Sequence, residues 1–357
     1  MRSTTDEVIE GASGTSAGRQ DSTLLASIRW ALPILGWIVI AVLVLLALLR
    51  IVAWDSLEPL IAVNALSLVV YLPAWIVAVG AAIGRRWWML GAAGFVIVAQ
   101  VVFVAPELLA ASPPPQWTRH ARVVRIFDAN IDKSVTFAAG YQRAIESYHP
   151  DVLTFEEFNP SAYQSLSASG ILRSFPNRCS AAQYGASGFF VASRWRLDDC
   201  RVLRVRWTGS NPQYADRSPT QYMLEATLET PAGLVALRVV HVLAPLPTYW
   251  REWKAGLAAV DSYVQKARTS RMLMVGDFNA TWGNRDFRTL LGDGLIDGAA
   301  ARGQALSMTW PNGAVVPPFA RIDHVLTGSS LAVVRIATGT GFGSDHHYLT
   351  SSVAIRP

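Results

Sequence analysis

The chain has 357 residues, of which 51% are hydrophobic and only 16% charged, against about 25% charged in an average soluble protein. That length accommodates one sizeable domain of about 200–250 residues with an appendage, and the composition excludes a chain that lives wholly in water. The net charge of +5 suits an anionic partner such as nucleic acid, phospholipid or cell-envelope phosphate, without choosing among them.

Residues 1–25 are rich in Ser, Thr, Gly and Asp and lack apolar periodicity, which predicts a disordered cytoplasmic tail. Three uncharged runs follow, Trp30–Leu49, Pro59–Gly84 and Trp87–Pro106. Each reaches the roughly 20 apolar residues needed to cross a bilayer, and none keeps a polar face, so residues 26–111 are read as three transmembrane helices. Arg85-Arg86 in the second turn and Arg2, Arg19 and Arg29 in the tail place those segments inside by the bias of short basic loops. With three crossings, the lipid bilayer holds a multi-pass cell-membrane protein whose C-terminal domain is expected outside the cytoplasm. Residues 112–120 contain Pro113-Pro114-Pro115, a stiff linker expected to hold that domain off the bilayer.

From Ala121 to Pro357, short β-branched runs alternate with helical stretches. Strands are predicted at Val123–Phe127, Val152–Phe155, Gly188–Ala192, Gln221–Leu228, Leu234–Val240, Met272–Val275, Arg321–Leu326, Leu331–Ile336 and Tyr348–Ile355. Helices are predicted at Phe137–Tyr148 and Tyr249–Ala267, giving an α/β domain with paired strands as well as crossovers. Cys179 and Cys200 both lie in this domain; they are either one disulfide, stabilising by about 3 kcal/mol, or two unpaired core residues.

Apolar strands in this domain repeatedly end in a carboxylate, amide or imidazole, where an α/β sheet presents functional groups. Arg125-Ile126-Phe127-Asp128-Ala129 leads to Asn130, Pro150-Asp151-Val152-Leu153-Thr154-Phe155-Glu156 to Glu157, and Val239-Val240 to His241. Leu273-Met274-Val275-Gly276 leads to Asp277 and Asn279, and Arg321-Ile322-Asp323 and Gly343-Ser344-Asp345-His346-His347 complete the set. A phosphoester resists hydrolysis because its anionic oxygens repel a nucleophile. Its site must therefore neutralise charge, position water in line and stabilise the leaving oxygen.

These segments, in this order, resemble the endonuclease/exonuclease/phosphatase superfamily, which includes DNase I-like nucleases, apurinic endonucleases, neutral sphingomyelinases and inositol-polyphosphate phosphatases. The resemblance rests on Pro150–Glu157, the GDFNA of Gly276–Ala280, the RID of Arg321–Asp323 and the SDH of Ser344–His346. It implies a four-layer sandwich of two mixed sheets flanked by helices. It also implies Mg²⁺ or Mn²⁺ held by Glu157, with Asn130 beside it and Asp345 as a second acidic contact. Asp277 would orient or deprotonate water, Asn279 would donate to phosphoryl oxygens, and His241 would stand near the leaving group as general acid. Asp323 would fix His346, whose imidazolium binds the phosphoryl group or moves a proton. Three membrane helices before such a domain resemble the bacterial membrane-bound members related to the glycopeptide-resistance protein VanJ.

Some positions depart from the family pattern: Glu156 replaces a common Gln, Val240 a Thr, and His347-Tyr348 follow the SDH. Alternation turns Glu156 away from the site as a structural group, and His347 reads as a surface residue. The expected function is that of a membrane-anchored, metal-dependent phosphoester hydrolase whose substrate is a lipid-linked phosphate, a phospholipid or nucleic acid. No obligate protein partner is implied. A basic patch of Arg201, Arg204, Arg206, Trp207 and Arg217 would favour the nucleic-acid choice. The competing class, an inactive binding module on the same fold, predicts loss of the metal-binding Glu or of the Asp/His set, and every position is filled.

Overall fold

The computed structural model describes residues 15–133, 137, 139–206, 220–313 and 315–357. They divide into two compact units, one running to Leu48 and taking in Tyr71–Ala99, the other made of Leu49–Val70 and Gln100–Pro357.

Helix α1 spans Thr15–Val52; residues 1–14, most of the expected tail, lie outside the described residues. Its apolar part, Trp30–Val52, has 23 residues of mean hydropathy 3.0. The second uncharged run is not one rod. It forms α2 (Glu58–Ala65), α3 (Ser67–Val70) and α4 (Pro73–Ile83), and Glu58–Ala65 lies at 78° to Ser67–Ile83. Leu66 leaves helical geometry at φ −97°, ψ 22°, while Ser67 Oγ donates to the Asn64 carbonyl at 2.5 Å, a local bond that competes with helix continuation. Pro73, which has no N–H to give to the preceding turn, opens α4. Helix α5, Trp87–Leu108, has 22 residues of mean hydropathy 2.2. Among the described residues, two helices are thus long and apolar enough to cross a membrane, and the bent pair makes a third only if counted as one span. Of the three membrane helices expected, two are found as single apolar helices and the third only as a bent pair.

The start of the Pro-rich segment is tied to the domain. Ser112 N–H donates to the Ala301 carbonyl at 3.2 Å and Arg302 Nη2 donates to the Ser112 carbonyl at 2.6 Å.

The domain continues as β1 (Arg122–Asn130), α6 (Ala139–Tyr148), β2 (Val152–Glu156), α7 (Pro160–Ala168), β3 (Asn177–Ala181), β4 (Phe189–Ser193) and β5 (Leu197–Arg206). Then come β6 (Thr220–Thr230), β7 (Gly233–His241), α8 (Trp250–Ala267), β8 (Met272–Asp277), α9 (Arg285–Gly292) and β9 (Ile296–Asp297). Helix α10 (Gly298–Ala301), β10 (Asp323–Thr327), β11 (Leu331–Gly339) and β12 (Tyr348–Ile355) complete it. The strands form two six-stranded sheets, β11-β12-β1-β2-β4-β3 and β5-β6-β7-β8-β10-β9. Each is mixed, with one parallel pair at its centre, β1/β2 and β7/β8.

Alternation builds the layers. In β7, Val235, Leu237 and Val239 enter the core between the sheets, whereas Val240 packs under α8, whose Trp253, Leu257, Val260 and Val264 recur at helical spacing. In β1, Val124 and Ile126 face the inter-sheet core and Phe127 and Ala129 face α6 and α7, beside Tyr141, Phe155 and Phe158. The result is the expected pair of mixed sheets with flanking helices. Cys179 of β3 and Cys200 of β5 form a disulfide across a Cα–Cα distance of 6.1 Å, which ties an edge strand of one sheet to an edge strand of the other.

Candidate active site

Register gathers the functional residues. In the parallel pair β7/β8, His241 lies opposite Asp277; in the antiparallel pair β8/β10, Asp323 lies opposite Asp277. In the other sheet Asn130 pairs with Glu156, which sets Glu157 one step beyond the strand end. All these ends open on the same rim. Two site residues are non-glycine with left-handed backbone, Glu157 at φ 52° and Asn279 at φ 47°, a strain that persists where surrounding structure enforces it. Gly276 has φ +122°, and a Cβ there would lie 2.2 Å from the Val240 carbonyl, so the approach of β7 to β8 needs glycine.

Three acceptors converge on one side. His241 Nε2 lies 3.4 Å from Glu157 Oε1 and 3.6 Å from Asp277 Oδ2. The Ala186 carbonyl, 2.6 Å from His241 Nδ1, can only accept, so Nδ1 carries the proton and a neutral ring turns its Nε2 lone pair towards two carboxylates. Burial lowers the affinity of His241 for a second proton, against the opposing pull of Glu157. Such facing acceptors repel unless a proton or cation lies between them. Hard oxygens at that position fit a divalent cation. Asn130 Nδ2 donates to Asp277 Oδ2 at 3.1 Å and to Glu157 Oε1 at 3.3 Å, binding the two acids together.

On the other side Asp323 and His346 form a closed pair, His346 Nδ1 donating to Asp323 Oδ2 at 2.9 Å. Burial alone would raise the Asp323 carboxyl and deplete the histidine of its proton. Their mutual charge and hydrogen bond prevail: Asp323 sits below its ordinary range and His346 is pushed up to about 10. The imidazolium Nε2 faces Asp277 Oδ2 at 3.7 Å. Burial pushes Asp277 above the usual carboxylate range, with His346 pulling the other way.

Asp277, Asp323 and His346 also have ligand-type atoms within 4.8 Å of one another. Glu157 and Asn130 stand on the His241 side, whereas Asp345, 55% exposed, stands beside His346 at 3.9 Å. The amide of Asn279, expected to face phosphoryl oxygens, is spent in this structure on Asp277 Oδ2 at 3.0 Å and the Val242 carbonyl at 2.8 Å. Glu156 is fully buried, but it is not turned away from the site: its carboxyl lies beside Gly276, and burial together with Asp128, Asp323 and Asp277 pushes it well above the usual carboxylate range. Trp207 and Arg217 of the expected basic patch lie outside the described residues, as does the side chain of Arg206.

Several participants escaped sequence reasoning. Lys133 N–H donates to Glu157 Oε2 at 3.0 Å. Ser344 Oγ donates to the Asn130 carbonyl at 2.7 Å and accepts from His346 N–H at 3.0 Å, joining the two halves of the site. Trp310 Nε1 donates to Asp345 Oδ2 at 3.0 Å. Ser344 belongs to the SDH segment and could have been found there; Trp310 comes from an irregular loop with no pattern to mark it.

Stacked mixed sheets that bring carboxylates, amides and imidazoles to one rim define a class, the α/β-sandwich hydrolases of phosphoesters. The sequence profile of the Endonuclease/Exonuclease/phosphatase family matches residues 128–346. The chain belongs to that family. Its fold is similar to that of zebrafish (D. rerio) TDP2 complexed with single-strand DNA product, at TM-score 0.52 and 16% identity over 65% of this chain and 98% of that one. It is similar also to the human Nocturnin catalytic domain with bound sulfate, at TM-score 0.50 and 16% identity over 68% and 100% of the two chains. An endonuclease/exonuclease/phosphatase from Beutenbergia cavernae gives 0.50 and 17% over 66% and 72%. No match is found among curated protein sequences.

Proposed function

We propose that the chain is a membrane-anchored, divalent-metal-dependent phosphoester hydrolase acting outside the cytoplasm on a substrate at the membrane surface. The observation that carries this reading is the convergence of His241 Nε2, Glu157 Oε1 and Asp277 Oδ2 as facing acceptors, a few ångströms from a charged imidazolium.

Glu157 and Asn130 are the residues that would hold Mg²⁺ or Mn²⁺, with Asp345 as the more distant acidic contact; the bound ion would polarise a phosphoryl oxygen. His346, protonated on both nitrogens near neutrality, has no lone pair for a metal, so its Nε2–H serves the phosphoryl oxygens instead. Asp323 holds the ring in place and keeps the charge on it. Asp277, made more basic by burial, accepts a proton from the attacking water, and Asn279 orients it. His241, anchored through Nδ1–H, presents Nε2 towards the acids; carrying a proton there, it would be a strong general acid for the leaving oxygen.

The anchor rests on the two apolar helices, and tethering raises the effective concentration of a membrane-surface substrate. The disulfide of Cys179 and Cys200 supports an oxidising compartment outside the cytoplasm. A lipid-linked phosphate or phospholipid is therefore preferred to nucleic acid, in keeping with the resemblance to VanJ-type proteins. The test is hydrolysis by the full-length protein in detergent, with Mg²⁺ or Mn²⁺, of a panel holding lipid pyrophosphate, sphingomyelin, DNA, RNA and a chromogenic phosphodiester. Turnover of the lipid substrates supports the reading; turnover of nucleic acid alone overturns the substrate choice; turnover of nothing overturns the enzyme.

A further inference from the structure

The loop between the first two apolar helices belongs to the catalytic unit, and its bonds lead to the segment that follows Asp277 and Asn279. Trp54 Nε1 donates to the Gly283 carbonyl at 3.0 Å. Asn284 Nδ2 donates to the Ile61 carbonyl at 3.1 Å, and Thr281 Oγ1 to the Ala65 carbonyl at 2.9 Å. At the centre is Asp55, 2% exposed. Its Oδ2 accepts from Arg285 N–H at 2.6 Å and its Oδ1 from Asn64 Nδ2 at 2.7 Å, while Lys254 Nζ donates to its carbonyl at 3.0 Å. The approach is close enough that a Cβ on Gly283 would lie 1.8 Å from the Asn64 carbonyl.

The end of α5 makes a second junction just before β10. Glu107 accepts from Arg321 Nη2, and Arg321 Nη1 donates to both oxygens of Asp297 at 2.8 and 3.1 Å. Asp297 in turn binds His324 Nδ1 at 3.0 Å, and His324 Nε2 lies 2.9 Å from the Ala280 carbonyl. Arg321 is two residues before Asp323, and Ala280 is the residue after Asn279. The segment that follows Asp277 and Asn279 and the one that precedes Asp323 are thus held from outside by segments that precede the domain in sequence.

We propose that Asp55 and Glu107, carried by those preceding segments, are positioning residues of the catalytic centre: Asp55 fixes the Thr281–Arg285 loop behind Asp277 and Asn279, and Glu107 fixes Arg321 behind Asp323. The catalytic domain is then complete only with Leu49–Val70 and the end of α5, and its chemistry is coupled to the anchor rather than merely attached to it. Neither residue touches substrate. A displacement of about 1 Å in a catalytic group can cost on the order of 100-fold in rate.

The turnover half of the test rests on the proposed hydrolase activity; the second half does not. In full-length protein in detergent, kcat and KM for a small chromogenic phosphodiester are measured per folded molecule for Asp55→Ala, Asp55→Asn and Glu107→Gln. At the same time, hydrogen–deuterium exchange is followed over residues 281–292. The expected result is a kcat lowered about 10–100-fold with KM nearly unchanged in Asp55→Ala and Glu107→Gln. Asp55→Asn, which keeps one acceptor for Arg285 N–H, recovers part of the loss. Exchange rises over residues 281–292 in Asp55→Ala and stays unchanged in β1–β4. If Asp55→Ala does not fold, Thr281→Val, which loses only local bonds such as that to Ala65, carries the same two measurements with a smaller expected effect. A kcat within about twofold of wild type with unchanged exchange overturns the proposal. If the wild type hydrolyses no phosphoester, the hydrolase reading fails while exchange alone still decides the docking.

Discussion

A proton shared between His346 and Asp323 sets the electrostatics of the site. Replacing the acid, Asp323→Asn, removes the charge that keeps the imidazolium. In metal-free protein followed by NMR, the His346 titration is expected to fall from about 10 towards the ordinary value of about 6.5. Since the folded value is raised, the pair's contribution to stability is fully present below about pH 6.5 and is lost as pH rises towards 10. Denaturant unfolding in EDTA should show wild type and Asp323→Asn differing most near pH 6 and converging in alkali. Asp261 shows the same sign in a lower pH window. Burial and the neighbouring Asp293 push its carboxyl up to about 7, while Gln265 bridges the two acids at 3.0 and 2.8 Å. An acid whose folded value is raised favours folding less as pH climbs from about 4 to 7. Asp261→Asn should therefore stabilise the protein at pH 8 and change little at pH 4; equal effects at both would contradict this.

At the scale of elements, strand ends place the chemistry, and Gly276 is a tight point among them, between Val240 and Glu156. Gly276→Ala meets both a left-handed backbone and a carbonyl at 2.2 Å. It should cost about 3 kcal/mol or more by denaturant unfolding. Strands with strong apolar alternation were legible in the sequence: β12 was read as Tyr348–Ile355, its observed span, and β8 within two residues of its end. Both lie in cores that reward such patterns. The strand β3, Asn-Arg-Cys-Ser-Ala, was not legible because neither face of it is fully buried. The segments ending in Asn130, Glu157, His241, Asp277 and Asp323 were legible as a set, since each polar residue interrupts an apolar run. Their contacts were not, because register between distant strands brings them together. The break at Leu66 was hidden in an uncharged run. Its sole signs were Asn64 and Ser67, whose partners, Asp55 and Arg50, lie outside that run.

The whole molecule joins two apolar helices to a hydrolase fold whose two sheets are cross-linked at their edges. Removing the disulfide by Cys179→Ala with Cys200→Ala releases a loop of 21 residues in sequence separation, which should lower unfolding free energy by about 3 kcal/mol. Unchanged denaturant midpoints would show that the link contributes nothing. Sidedness is open to a direct assay, a C-terminal alkaline phosphatase fusion that should be active if the domain lies outside; an active cytoplasmic reporter in its place would reverse the orientation. The central claim is tested most directly by hydrolysis of a chromogenic phosphodiester by full-length protein with and without Mg²⁺, alongside Glu157→Ala and His346→Ala. The account predicts turnover that EDTA abolishes and that falls by about 100-fold or more in each variant. Activity that survives both substitutions, or that ignores the metal, would contradict it.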